Sequence, residues 1–225
     1  METARRTFAI VWKDLLIELR TRQGVSAMIF FAALILFLFA FAIGPDPQLL
    51  RRLSAGLLWV GIAFTGTLSL GRTFQTEELA GGLTNLRLYP GDVRAVFFGK
   101  LLGNLVVLLV IEAILFPAGA ILFQFDLLPH AAPVAMLAVL GSFGLATMGT
   151  FYAALTVHIR ARELMLPLLL FPAVVPLLLA AVNATSGVLL GDPMGRGEGW
   201  LRLLVAYDLI LFVVCTWIFP IVLEE

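Results

Sequence analysis

Two carboxylic acids in this chain stand within apolar runs, where an ionisable side chain could carry protons or bind a partner. Glu112 lies within residues 109–113, and Asp208 lies about two turns into the last apolar run. A carboxyl group at that depth in a membrane is costly, so it is a functional hypothesis by default. The alternative for Glu112 is a protonated or hydrogen-bonded acid that fixes helix packing, for instance against an asparagine or a serine of a neighbouring span. Asp208 supports a weaker form of the same argument, and both interpretations stay open.

The long polar segment at residues 72–100 is the second feature that could carry a function. Two glycines interrupt it, Pro90 limits it, and Leu83 and Leu86 lie three apart, so they share a face of any helix. A connector of this length with its own apolar positions is typical of a functional element. We predict a short amphipathic helix that docks into a partner's groove on one side of a membrane. The charged residues of the segment are Arg72, Glu77, Glu78, Arg87, Asp92, Arg94 and Lys100.

Motifs for catalysis or nucleotide binding are absent from the sequence. The Gly99-Lys100 pair lacks the earlier glycine and the following Ser or Thr of a phosphate-binding loop. No arrangement of serine, cysteine or histidine suggests a nucleophile. The lone Cys215 excludes a disulfide framework or a thiolate metal site within one chain. His130 could ligate a metal or a haem iron, but no second ligand is near it in sequence, which favours an interfacial histidine. We therefore predict a non-catalytic chain without a metal site, which takes any nucleotide energy from another subunit.

Composition places this chain in a membrane. Hydrophobic residues make up 61% of it and charged residues 13%, and the mean hydropathy is +1.02. Soluble domains are about half apolar and a quarter charged, so much of this surface must face lipid. The formal net charge of 0 gives no indication of a nucleic-acid partner, and none is predicted. The fold class expected is an all-α integral membrane protein.

Six apolar stretches are long enough to cross about 30 Å of hydrocarbon. The first has 20 residues without a charge, which is too long for a typical signal peptide, and a turn at residues 44–47 ends it. Together the stretches form one transmembrane domain over residues 1–225. The predicted spans are residues 24–43, 53–70, 97–123, 131–157, 164–186 and 203–222.

Prolines interrupt the fifth predicted span. Pro172 and Pro176 each remove the hydrogen bond to the carbonyl four residues earlier, at Leu168 and at Pro172 itself. Within a membrane such carbonyls need another partner or a water-lined cavity. A kinked, movable helix is the functional interpretation, and a static kink is the alternative.

The first 23 residues contain no span but have the pattern of an amphipathic helix. Their apolar side chains share one face, and basic residues recur every seven positions on another. We predict a helix in the membrane interface with its apolar face toward lipid; an ordinary charged lead-in to the first span is the alternative. The apolar positions are Phe8, Val11, Trp12, Leu15 and Leu19, and the basic ones are Arg6, Lys13 and Arg20.

Orientation follows from the distribution of basic residues. With the N-terminus inside, eleven of the fifteen Lys and Arg residues lie in inner segments. Such an excess is typical of cytoplasmic loops. We therefore predict a multi-pass protein with both termini and the polar segment 72–100 in the cytoplasm. The four basic residues of the outer segments are Arg51, Arg52, Arg196 and Arg202.

Three stretches of the sequence resemble one known family over nearly the whole chain. The first is residues 43–50, continuing through Gly56 to Trp59-Val60. The third is residues 154–156 with the proline-rich residues 166–176. The second, between them, comprises Arg72, Phe74, Glu77, Glu78, Gly81, Leu83, Leu86 and Pro90. With these stretches, six spans and this length, the chain resembles the CcmB family, haem exporter protein B, the membrane permease of an ABC-type complex in cytochrome c maturation.

This resemblance implies a set of partners in a bacterial inner membrane. It implies a cytoplasmic ATPase like CcmA, a haem-handling membrane protein like CcmC, a small membrane protein like CcmD and a haem chaperone like CcmE. The implied role is to convert ATP hydrolysis by the ATPase into a membrane movement that helps release the haem-loaded chaperone. Haem is then a ligand that the complex handles, and no cofactor is assigned to this chain. The residues expected to couple to the ATPase are Arg72, Phe74, Glu77, Glu78, Leu83, Leu86 and Pro90.

Two other functions remain open at this stage. The same docking segment could serve an ABC exporter of another substrate, such as a lipid or a drug. In that case an ATPase would co-purify without a haem-handling partner. An ATP-independent secondary transporter is the alternative from another class, with Glu112 and Asp208 as proton sites. Proton-coupled transport by the isolated chain would support it.

Overall fold

The structure, a computed structural model, describes residues 2–21, 23–74, 93–156, 162–192, 195 and 197–224. Every regular element within these residues is a helix, which confirms the predicted all-α class. The elements are α1 (Glu2–Thr21), α2 (Gln23–Ile43), α3 (Pro47–Leu70), α4 (Arg94–Phe123), a short 3-10 helix (Leu128–His130), α5 (Ala131–Thr156), α6 (Arg162–Leu190) and α7 (Gly197–Glu224).

Six of the described helices, α2 to α7, are long and apolar enough to cross a membrane, which confirms the predicted number. Several extend beyond the predicted apolar stretches. α3 begins at Pro47 instead of residue 53, because Asp46 caps the helix. The Asp46 carboxylate accepts hydrogen bonds from the backbone N–H groups of Gln48 at 3.0 Å and Leu49 at 3.1 Å. A side-chain acceptor at this position satisfies N–H groups that have no partner within the helix. The apolar run therefore marks the membrane-crossing part of a longer helix.

The turn predicted at residues 44–47 is present between α2 and α3. α2 ends at Ile43, and Gly44 has a backbone φ of +78°. This conformation is unfavourable for a residue with a Cβ atom, whereas glycine adopts it readily. The N–H of Gly44 donates to the carbonyl of Ala40 at 3.2 Å. The chain thus reverses direction in three residues and brings α3 back alongside α2.

Helix α5 lies at the centre of the bundle and packs against α3, α4, α6 and α7. Its glycines allow these close approaches. A Cβ atom at Gly141 would overlap the ring of Trp59, and one at Gly149 would overlap the side chain of Leu70, both on α3. Small residues are the usual means by which membrane helices approach each other closely. Trp59 is fully buried and donates its Nε1–H to Thr185 Oγ1 at 2.9 Å, which also joins α3 to α6.

The N-terminal helix α1 packs along α4. A Cβ atom at Gly99 would meet Ile10, so the two helices are in close contact there. The opposite side of α1 carries Phe8 and Trp12, which are 68% and 58% exposed and whose ring centroids lie 6.4 Å apart. The predicted amphipathic helix is therefore confirmed as a helix with an outward-facing aromatic patch. Such a patch suits the membrane interface.

Candidate functional site

The polar segment predicted to dock a partner is described only at its two ends. Residues 75–92 lie outside the described residues, and with them the predicted coupling residues Glu77, Glu78, Leu83, Leu86 and Pro90. Arg72 and Phe74 are described, as is the far end from Val93 onward. The helix α4 begins at Arg94, so Lys100 belongs to a helix within the bundle and not to a connector.

Phe74 faces the interior of the bundle. Its side chain is 2% exposed, and the Lys100 ammonium lies 5.5 Å from the centre of its ring. An aromatic face attracts a cation at this distance, and more strongly when water is excluded. The ring thus covers a buried charge at the start of the segment, and the part of Phe74 in coupling to the ATPase stays a prediction. Arg72 is exposed and stays accessible to a partner.

Lys100 forms an ion pair that attaches α1 to α4. Its Nζ lies 2.8 Å from Asp14 Oδ2, and the two side chains are 3% and 22% exposed. Removing a charge from water costs several kcal/mol, and a close opposite charge offsets that cost. Asp14 also pairs with Lys13 at 3.2 Å, on the half-exposed side of α1. A side chain of the N-terminal helix is thus one partner of the buried ammonium.

Hydrogen bonds continue from the start of the polar segment into the bundle. Thr73 Oγ1 donates to Asn104 Oδ1 at 3.1 Å, and Asn104 Nδ2 donates to Thr150 Oγ1 at 2.9 Å. These two hydrogen bonds join the end of α3 to α4 and α5. Asp14, Thr73, Phe74, Lys100, Asn104 and Thr150 are referred to below as the Lys100 cluster.

A small cavity of about 80 Å³ adjoins the Lys100 cluster. Its wall includes Asp14, Glu18, Arg72 and Lys100. The side chains of Glu18 and Arg72 both approach Gly24 at the start of α2. Four helices therefore meet at the first residues of the polar segment, where two acids of α1 face a cation at the end of α3 and another on α4. This arrangement suits the transmission of a movement from the segment to the spans.

Glu112 is buried and bonded to a neighbouring span. Its side chain is 2% exposed, and Ser142 on α5 donates its hydroxyl to Oε1 at 2.6 Å. The other carboxyl oxygen, Oε2, has no hydrogen-bond partner among the described residues. The contact with a serine agrees with the packing interpretation for one oxygen and leaves the other without an explanation.

Asp208 lies in a different part of the bundle. Its side chain is 3% exposed, and neither of its oxygens has a hydrogen-bond partner in the described part of the chain. It lies against Gly144 of α5, where a Cβ atom would meet Oδ1. Ser142 and Gly144 are two residues apart and so point to different sides of a helix. The structure therefore places Glu112 and Asp208 on different sides of α5, which does not favour a shared proton path.

The proline-rich fifth span is one continuous helix, α6, through Pro172 and Pro176. Both prolines are exposed. Tyr207 on α7 donates its hydroxyl to the carbonyl of Ala173 at 2.7 Å, within the stretch that the prolines weaken. Ala173 is not one of the two residues, Leu168 and Pro172, whose carbonyls the prolines leave without a partner within the helix. That α6 moves during function stays a prediction.

Several residues of the site escaped sequence reasoning. Asp14, Asn104, Ser142 and Thr150 were not singled out, although Asn104 and Ser142 are polar positions in apolar helices. A polar side chain in a span predicts a bond to another span, so these residues carried a usable signal. Their partners, however, depend on how the helices pack. Within the described ranges, no group of three His, Cys, Asp or Glu side chains could hold a metal ion.

Comparison with known proteins supports one family over nearly the whole length. The sequence profile of the family described as "CcmB protein" matches residues 5–225. The chain is 31% identical over 203 residues to "Heme exporter protein B" of Escherichia coli strain K12, which covers 87% of this chain and 89% of that protein. The protein of the same name from Pseudomonas aeruginosa PAO1 is 31% identical over 193 residues, 85% of each chain. That from Haemophilus influenzae Rd is 29% identical over 186 residues, 83% of this chain and 84% of that protein.

Proposed function

The chain belongs to the CcmB protein family, and from that premise we propose that it is the membrane subunit of an ABC-type haem exporter in cytochrome c maturation. The observation that carries this proposal is the family match across residues 5–225. The similar proteins are named heme exporter protein B, and six described helices are long and apolar enough to cross a membrane. In this proposal the chain catalyses no reaction, and ATP is hydrolysed by a separate subunit.

Coupling to the ATPase is proposed to run through the polar segment and the Lys100 cluster. The ATPase would hold residues 75–90, and Arg72 at the accessible start of the segment would add a contact. Movement of the segment would reach α4 through Phe74 and Lys100, α1 through Asp14, and α5 through the hydrogen bonds of Asn104. The supporting observation is that these contacts connect the first residues of the segment to three helices.

The complex that this proposal implies contains further subunits. A haem-handling membrane protein like CcmC, a small membrane protein like CcmD and a haem chaperone like CcmE would work with the ATPase like CcmA. The movement of the spans would help release the haem-loaded chaperone. Haem is cargo of the complex. The ring nitrogen Nδ1 of His130 lies 3.2 Å from the carbonyl of Asp126 in the same turn.

Deletion of the gene and purification of the native complex test the proposed function. We expect loss of covalently haem-bound c-type cytochromes, with b-type cytochromes unchanged. A copy of the gene on a plasmid should restore the c-type cytochromes. The purified chain should carry an ATPase and a haem-handling membrane protein. Normal c-type cytochromes, together with recovery of an ATPase alone, would refute the proposal and favour an exporter of another substrate.

Both termini and the polar segment are proposed to lie in the cytoplasm of a bacterial inner membrane. Leu128, 91% exposed in the turn between α4 and α5, should then face outward. With Cys215, the single native cysteine, replaced by alanine, Leu128→Cys should react with an impermeant maleimide in intact cells. Thr84→Cys should react only after permeabilisation, because the basic residues lie mainly on its side. Labelling of Thr84→Cys in intact cells would contradict the orientation.

A further inference from the structure

A second cavity lies between α4 and α5 and shares no wall residue with the cavity beside the Lys100 cluster. Its volume is about 260 Å³. Alanines and other apolar residues form most of the wall, and Ala113, Pro117 and Ala135 at its rim are exposed. The cavity therefore opens sideways, on the apolar surface that the spans present to the membrane. We refer to the space walled by Glu112, Ala113, Phe116, Pro117, Ala135 and Ala138 as the Glu112 cleft.

Among the described residues that line this cleft, Glu112 has the one polar side chain. Ser142 occupies its Oε1, and no described residue donates to its Oε2. A buried polar atom without a hydrogen-bond partner is costly, and each such atom in a native protein calls for an explanation. An apolar cleft with a single unpaired acceptor can be completed by an occupant that brings a donor.

Depth decides what kind of occupant can reach Glu112. In α4, which spans Arg94–Phe123, a rise of 1.5 Å per residue places Glu112 about 27 Å from one end and about 16 Å from the other. Lipid headgroups remain at the membrane surface, about 15 Å from the middle of the hydrocarbon. A water molecule needs two to four polar partners, and the cleft wall offers only Glu112. A transmembrane helix can carry a donor side chain to this depth.

We propose that the Glu112 cleft is the docking surface for a transmembrane helix of another membrane protein, which presents a hydrogen-bond donor to Glu112. The alanines of the rim allow a helix backbone to approach closely, and polar side chains commonly bond across helices. This partner surface is additional to the proposed ATPase dock. The free carboxyl oxygen of Glu112 requires a partner with a hydrogen-bond donor, and the shape of the cleft requires a helix that can approach closely.

A second copy of this chain fits the cleft less well. At the depth of Glu112, the outward-facing side chains of its described spans are apolar, apart from Asn183 and Tyr207. Asn183 already donates to the carbonyl of Leu179 at 2.7 Å, and Tyr207 already donates to that of Ala173 at 2.7 Å. A second copy could therefore offer only the second amide N–H of Asn183, whereas a partner of different sequence can bring a side chain whose donors are all uncommitted.

Site-specific crosslinking tests this docking in the native host. A benzophenone amino acid would replace Ala135 at the rim, and Ile210, 60% exposed on α7, would be the matched lipid-facing control. We expect a light-dependent adduct from position 135 whose crosslinked peptide lies in a transmembrane segment of another protein and contains a donor side chain. Position 210 should give adducts with lipid only. Adducts of position 135 with lipid alone, or with a second copy of this chain, would overturn the proposal.

Substitutions at Glu112 then test the donor itself. Glu112→Leu removes the acceptor and should lower recovery of the crosslinked partner about five- to tenfold, whereas Glu112→Gln keeps a carbonyl oxygen and should retain it. Replacing the partner's donor by leucine should cause no further loss in the Glu112→Leu background.

Filling the cleft tests the docking by shape. Ala135→Trp, which fills the cleft and leaves Ser142 unchanged, should also displace the partner. Unchanged recovery with both Glu112→Leu and Ala135→Trp would refute the docking. ATPase recovery should stay normal throughout, which separates this result from failure of the proposed function.

Discussion

Replacing Leu83 and Leu86 together with aspartate is expected to release the ATPase from this chain. The sequence predicts that both leucines share one face of a short helix between the glycine pair and Pro90. One or two exposed turns are marginal alone, so their order should come from a partner's groove. Each buried charge without a partner costs several kcal/mol, more than so small a contact can offset. The double variant should therefore lose the ATPase on purification and lose cytochrome c maturation, while its abundance in the membrane stays normal.

The matched control for that experiment adds the same charges to a neighbouring face. Thr84 and Asn85 lie between the two leucines, and the Thr84→Asp/Asn85→Asp variant should retain most of the ATPase. ATPase bound at wild-type stoichiometry to the Leu83→Asp/Leu86→Asp variant would rule out this segment as the dock. Equal loss in both variants would show that added charge acts without regard to the predicted face, which also contradicts a docking helix.

Asp14→Asn is expected to cost the protein about 3 kcal/mol of stability, near the low end of the range for breaking a buried ion pair. Lys100 would keep its charge at 3% exposure and would lose its ion pair with the Asp14 carboxylate, which lies 2.8 Å away. Resistance of the purified chain to unfolding by SDS, with loss of helical circular dichroism as the readout, measures the change. Because Lys100 also lies over the ring of Phe74, the variant should lose cytochrome c output as well.

A double substitution separates loss of the pair from loss of packing. Asp14→Leu/Lys100→Met removes both charges and keeps similar volumes, so it should recover most of the stability that Asp14→Asn loses. Lys13→Met is the surface control, since the Lys13 side chain is 49% exposed and such pairs contribute at most about 1 kcal/mol. If the double variant were as unstable as the sum of its single substitutions, the two charges would not depend on each other, and the assignment of Lys100 to a buried pair with Asp14 would be wrong.

The membrane architecture followed from local features of the sequence. An apolar run long enough to span a membrane is visible residue by residue, and six such runs correspond to six described helices. The turn after the first span was also predictable, because glycine and proline act through their own backbone geometry. The family resemblance has the same basis, since motifs such as residues 43–50 are contiguous in the chain.

Helix ends were less accessible to this reasoning. The predicted second span began at residue 53, where the apolar run begins, whereas α3 starts at Pro47. The cap that Asp46 provides is polar and lies outside the apolar run, so hydropathy cannot report it. The local Asp-Pro pair does indicate a helix start, and weighing it beside the hydropathy would have placed the boundary correctly.

The pairing of side chains across helices is what only the tertiary structure decided. Periodicity shows which face of a helix is apolar but not which residue of another helix it meets, because that depends on how both helices are rotated and shifted. Phe74 faces inward because Lys100 is buried beside it, and Lys100 can be buried because α1 brings Asp14 within 2.8 Å. In the same way, Ser142 and Gly144 of α5 place Glu112 and Asp208 on different sides of one helix, although the sequence presents both as isolated acids in apolar runs.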